Sequence, residues 1–224
     1  MQKLKGASIL FDLDGTLIDS APDLAASMNF VLRLNGRSEI STADVRNMVG
    51  RGARVLMENG MAATGAPATE AELDQLFDQF LEYYLDHIAD HSVVFENVEN
   101  TLKQLRDAGA ILGVCTNKPE SASIKLLKEF ALDGYFSAIV GGDTLPLRKP
   151  DPTHILGTIE AMGGNSTTAI MVGDSANDID AAISAGIPVI GVPFGYTAIP
   201  IYELGANSVV EHFDDLIPAL IKLL

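Results

Sequence analysis

The chain alternates between short apolar runs and longer amphipathic stretches. Residues 8–11, 111–115, 138–140, 169–172 and 189–192 are aliphatic or β-branched, lack polar alternation and end in polar or glycine-rich turns. Such runs suit strands buried on both faces of a parallel sheet. Helical stretches at 101–108, 121–130, 152–162 and 178–185 separate most of them. Strands alternating with helices predict a doubly wound, Rossmann-like α/β domain.

Residues 18 to about 90 have a different pattern and read as helix after helix. Ser20-Ala21-Pro22-Asp23 has the form of a capping box with proline early in the helix. Ser41-x-x-Asp44 and Thr69-x-x-Glu72 repeat the signal. After the last, Leu73, Leu76, Phe77, Phe80, Tyr84 and Ile88 fall on one helical face. The expected organisation is an α/β core of residues 1–17 and 93–224 with a helical cap, residues 18–92, inserted after the first strand. That insertion point is the carboxyl edge of the sheet, where open α/β folds bind ligands.

Candidate chemistry gathers at that edge. Asp12 and Asp14 close the first apolar run, and strand alternation directs i and i+2 to one side. Like charges in one small site repel, so a compensating cation is implied. Later strands end in Thr116-Asn117, in Arg148-Lys149-Pro150-Asp151, and in Gly173-Asp174-Ser175-Ala176-Asn177-Asp178. A parallel sheet brings these ends together. Four carboxylates, a hydroxyl, an amide and an ammonium suit Mg²⁺, a hard cation that takes oxygen ligands, together with a phosphate group. Each signal alone has a bland reading: Lys149 as a solvated lysine, Asp178 as an acidic first helical turn. Their joint order at successive strand ends is what carries weight.

These residues resemble the motifs of the haloacid dehalogenase (HAD) superfamily with a helical cap. Asp12-Leu13-Asp14-Gly15-Thr16 is similar to the first motif, Thr116 to the second, Lys149 to the third and Gly173-Asp174-Ser175-x-x-Asp178 to the fourth. The likeness covers essentially the whole chain. Within the superfamily, Asp19-Ser20-Ala21-Pro22-Asp23, Thr116-Asn117-Lys118-Pro119, Asn177-Asp178-Ile179 and Phe194-Gly195-Tyr196 most resemble bacterial phosphoglycolate phosphatases. One segment departs: Val94-Phe95-Glu96-Asn97-Val98 stands where that group usually has a Pro-Gly pair.

The resemblance implies a Mg²⁺-dependent phosphatase acting on a small anionic phosphate ester, with 2-phosphoglycolate the expected substrate. Asp12 would form an aspartyl-phosphate, and Asp14 would serve as general acid and then base. Mg²⁺ would be held by Asp12, the Asp14 backbone and Asp174, with Asp178 orienting it. Lys149 would pair with Asp12 and the phosphate; Thr116, with Gly15 and Asn117 beside it, would hold phosphate oxygens. In the cap, Gly50-Arg51-Gly52 sets an arginine between two flexible residues, where it could grip a substrate carboxylate or simply be a solvated turn. The absence of lysine in residues 18–92 removes a Schiff-base phosphonate hydrolase. A phosphosugar mutase would place a cap histidine near Leu24, but the cap-region histidines are His87 and His91. A sugar-phosphate phosphatase or pyrophosphatase stays open, as does a non-catalytic binding protein, which retention of Asp12 and Asp14 argues against.

Composition narrows the partners. A net charge of −15 disfavours nucleic acid and anionic membrane surfaces. Capture of an anion must then rely on local positive charge, within a screening length of roughly 8 Å. One cysteine, Cys115, excludes an intrachain disulfide and suits a reducing cytoplasm. No signal peptide or membrane span is expected, and a monomer or homodimer fits. His154 and His212 read as surface or helix-end residues, and Met28, Met48, Met57 and Met61 as cap core or cap–core interface.

Overall fold

The computed structural model describes residues 2–224. In chain order the strands are β1 (Ser8–Phe11), β2 (Ile18–Asp19), β3 (Val93–Val94), β4 (Ile111–Cys115), β5 (Ala138–Val140), β6 (Ala169–Gly173), β7 (Val189–Gly191) and β8 (Ser208–Val209). The α-helices are α1 (Ala21–Leu34), α2 (Thr42–Arg46), α3 (Ala53–Ala63), α4 (Glu70–Asp86), α5 (Val98–Asp107), α6 (Glu120–Glu129), α7 (Pro152–Ala161), α8 (Ala176–Ala185) and α9 (Leu216–Leu223).

Six strands form one parallel sheet in the order β5-β4-β1-β6-β7-β8. The sheet is apolar on both faces because successive residues point to opposite sides and both sides are covered. Ile9 and Phe11 join one core with Leu112, Val114, Ile170 and Val172. Leu10 joins a second with Met171, Val189 and the α7 and α8 residues Ile155, Ile159 and Ile179. Truncating a fully buried leucine or isoleucine here to alanine would cost about 2–5 kcal/mol. β1 lies mid-sheet, with Phe11 opposite Val114 on β4 and Val172 on β6. That register brings Asp12, Thr116 and Asp174, which follow the three strands, to the same edge.

The helices α1–α4 pack on one another, with Met28, Met57, Met61, Phe80 and Tyr84 buried between them. Their starts follow the expected caps in two cases. Thr69 and Glu72 complete a reciprocal capping box on α4, and the Ser41 hydroxyl accepts from the Asp44 N–H on α2. The box expected at Ser20 does not form. The Ser20 hydroxyl turns to Asp14, and Asp23 accepts from the backbone of His91 and Ser92. Both side chains take partners outside their own helix end, Ser20 six residues back and Asp23 nearly seventy residues on.

The chain enters and leaves the helical block side by side. Ile18 pairs with Val94 and Asp19 with Val93, antiparallel, in a two-stranded ribbon. This ribbon and β8 are two residues each, too short to leave a hydrophobic period in the sequence. His154 also departs from expectation. It is fully buried, with Nε2 3.0 Å from the Gly141 carbonyl and Nδ1 3.8 Å from Cys115 Sγ. An Nε2–H tautomer satisfies both contacts, since Nδ1 is then free to accept from the thiol. Cys115 is a buried core residue as expected, and burial first of all pushes its thiol up to about 11.

Candidate active site

Asp12 leaves β1 with its N–H donating to the Val172 carbonyl at 2.9 Å, which fixes the side chain at the sheet edge. Its Oδ1 accepts from the Leu13 N–H at 2.7 Å and meets Lys149 Nζ at 3.0 Å. The same ammonium lies 2.6 Å from Asp178 Oδ1. Asp178 Oδ2 accepts from the Ser175 N–H and hydroxyl, so the acidic first turn of α8 is a helix cap and a site residue at once. Asp174 accepts from the Thr16 hydroxyl at 2.9 Å and the Tyr196 N–H at 2.5 Å. Oxygens of Asp12, Asp174 and Asp178 all lie within 4.8 Å of one another, and all three residues are buried.

Three buried carboxylates share one ammonium, so the cluster is short of positive charge. Burial pushes the Asp12 carboxyl up to about 6, with Lys149 pulling it down and Asp178 pushing it up. Asp174 is held well above the usual carboxylate range, by burial first and then by Asp178 and Asp12. Burial alone would depress Lys149, but Asp12 and Asp178 outweigh it and keep the ammonium charged. A hard divalent cation coordinated by oxygens fits this donor set and would relieve the repulsion. Gly15 makes the close approach feasible: its φ is +84°, and a Cβ there would stand 2.5 Å from Asp174 Oδ2.

Asp14 stands apart from this cluster. Its Oδ1 accepts from the Ser20 hydroxyl at 2.6 Å, and Lys118 Nζ lies 3.0 and 3.1 Å from its two oxygens. Asp12, Asp14, Thr116, Asn117 and Lys118 line a cavity whose roof is Leu56, Phe80 and Tyr84 of the helical block. Its free volume is about 40 Å³. Lys118 Nζ sits 4.4 Å from the centre of the Tyr84 ring. The sequence pattern did not single out Lys118, Ser20 or Tyr84 for the site. Lys118 stood in view beside Thr116 and Asn117, whereas Tyr84 carried only the signature of a packed helix face.

The helical block is also anchored to the sheet edge by polar contacts. The Gly50 carbonyl accepts from Asn117 Nδ2 at 2.9 Å and from Asn177 Nδ2 at 3.1 Å. Gly52, at φ +86°, lets the turn pass Arg148, whose Nη1 a Cβ would meet at 2.9 Å. Tyr196 reaches the other way: beyond its N–H on Asp174, its hydroxyl donates to Asp19 of β2 at 2.6 Å, and Arg46 pairs with the same carboxylate. Arg51 is not brought together with the other candidate residues. It is exposed and lines a separate open depression with Arg148, Lys149 and Asn177, because pinning of the Gly50 carbonyl fixes the turn with this side chain outside the cavity.

The model of the haloacid dehalogenase-like hydrolases matches residues 9–192. The chain belongs to this family. A phosphoglycolate phosphatase of Caulobacter vibrioides is 45% identical over 224 residues, spanning 100% of this chain and 94% of that one. One from Agrobacterium fabrum is 44% identical, spanning 96% and 92%. A crystal structure described as a predicted phosphoglycolate phosphatase from Haemophilus somnus superposes with a TM-score of 0.90 at 35% identity, covering 96% of this chain and 98% of that one. No helix among the described residues is long and apolar enough to cross a membrane.

Proposed function

We propose that this hydrolase is a Mg²⁺-dependent phosphatase that converts 2-phosphoglycolate to glycolate and phosphate. The observation that carries the reaction type is the separation of two carboxylates at one sheet edge. Asp12 is bound into the buried cluster with Lys149, while Asp14 faces the cavity. The names of the full-length relatives support the substrate.

In this reading Asp12 attacks phosphorus through Oδ2, Oδ1 being held by Leu13 and Lys149. The Asp12–phosphorus bond forms as the bond to the leaving oxygen breaks, and Asp14 gives that oxygen its proton. Asp14 then removes a proton from water, which attacks phosphorus and frees Asp12 and phosphate. Lys149 balances charge beside Asp12 throughout, and Thr116 and Asn117 border the phosphate. Asp12, the Asp14 backbone, Asp174 and Asp178 would hold or orient Mg²⁺, which supplies positive charge against the repulsion between nucleophile and phosphate dianion. Residues 18–92 would act as a cap hinged at the β2–β3 ribbon, and a cytoplasmic setting accords with the single buried thiol.

The test is phosphate release from a panel of monoesters with Mg²⁺ and with chelator. Phosphoglycolate should lead hexose phosphates, nucleotides and pyrophosphate, and chelation should abolish release. If hexose phosphates match it, the substrate is wrong; if chelator has no effect, the metal is wrong.

A further inference from the structure

The cavity roofed by the helical block contains more recognition chemistry than phosphoryl transfer uses. Among the described residues lining it, Lys118 is the one cation, and it is buried. An ammonium has three donors, and the two oxygens of Asp14 take at most two of them. Beside it, with its ring centre 4.4 Å from Lys118 Nζ, Tyr84 is 1% exposed, and among the described residues its hydroxyl has no hydrogen-bond partner. A buried hydroxyl without a partner is destabilising, and a ligand atom accepting from it would relieve that cost. Burial first, then the charges of Asp14 and Asp23, keep Tyr84 protonated and hence a donor.

We infer that Lys118 and Tyr84 together seat the carboxylate of the substrate's leaving group and so determine specificity. This rests on the proposed phosphatase reading and deepens it. The leaving oxygen must touch Asp14 to receive its proton, and Lys118 Nζ is only 3.0 Å from Asp14. An anionic group one carbon beyond that oxygen is therefore within reach of Lys118, whereas Arg51 lies outside the cavity. The seat has two halves. Lys118 comes from the segment between β4 and α6, Tyr84 from α4, so the seat is complete only when the helical block lies over the sheet edge. Recognition of the carboxylate is thereby tied to closure.

The experiment compares kcat/KM for 2-phosphoglycolate and for ethyl phosphate, which lacks the carboxylate, in the wild type and in Tyr84→Phe, Lys118→Met, Lys118→Arg and Arg51→Met. The preference for phosphoglycolate should fall about tenfold in Tyr84→Phe, and further in Lys118→Met. Lys118→Arg should restore part of it, and Arg51→Met should leave it unchanged. Thermal melts identify any variant that fails to fold, and Tyr84→Phe, which removes one oxygen, keeps the test open if Lys118→Met does not fold. If both esters lose activity in equal proportion, Lys118 and Tyr84 only support Asp14 and the packing, and the seat is overturned. The same holds if Arg51→Met alone removes the preference. A wild type that does not favour phosphoglycolate overturns the substrate reading itself, and the seat with it.

Discussion

Asp12 and Asp14 are two residues apart and live in different surroundings. Both line the cavity, but Asp12 is packed against Lys149 and two further carboxylates, whereas Asp14 is held by Ser20 and Lys118. Replacing Asp12 by Asn keeps the shape and removes the attacking charge. The variant should lose at least about 10³-fold in kcat and form no acid-stable phosphoenzyme; turnover at the wild-type rate would sink the assignment. Gly15→Ala would force a side chain into a left-handed backbone and against Asp174. The expected result is a loss of roughly tenfold in kcat/KM, since small displacements of a positioned group are costly, with a higher Mg²⁺ requirement in a metal titration. His154 tests the core below. Burial, then the Lys149 charge, lower its pKa from the ordinary 6.5 to about 4. Between those values the unfolded chain binds a proton that the folded chain refuses, so this residue makes stability fall as pH drops from 6.5 to 4. Urea unfolding across that window should show a shallower pH slope in His154→Gln; identical slopes would refute the buried neutral imidazole.

At the scale of elements, the strands were legible because burial on both faces leaves an unbroken apolar run, and the site was legible because a parallel sheet brings those runs' ends together. Asp12, Asp14, Lys149, Asp174 and Asp178 could thus be found by position alone. What stayed hidden depends on contacts between distant segments. Ser20 has a helix-cap signature but turns to Asp14, and His154, in the first turn of α7, is buried against Cys115 of β4 and the Gly141 carbonyl rather than exposed. The Gly50 carbonyl, held by two amides from separate loops, has no sequence signal at all. That contact is what holds the turn before α3 to the sheet edge. Asn177→Ala deletes one of its two hydrogen bonds, worth about 1 kcal/mol. If closure of the helical block over the edge precedes chemistry, kcat/KM should fall about fivefold in steady-state assays, the factor that 1 kcal/mol implies. An unchanged kcat/KM would show that the contact does not govern access to the site.

For the whole molecule, the difficulty is that a chain of net charge −15 is proposed to bind an anion. Its cations near the site are few and mostly neutralised: Lys149 by Asp12 and Asp178, Lys118 by Asp14. Little positive potential therefore extends outward to offset the field of the surface, and approach of a substrate bearing a phosphate dianion and a carboxylate is opposed. That opposition acts at long range, over about 30 Å at 0.01 M salt and about 10 Å at 0.1 M, whereas the contacts made after binding span only a few ångströms and are screened far less. Salt should consequently relieve the encounter more than it weakens the bound state. At fixed free Mg²⁺, kcat/KM for the anionic ester should rise about twofold between 10 and 150 mM of an inert monovalent salt, with kcat nearly constant. A steep fall in kcat/KM over that range would mean that an attractive local potential, reaching out past Arg148 and Arg51, dominates capture instead.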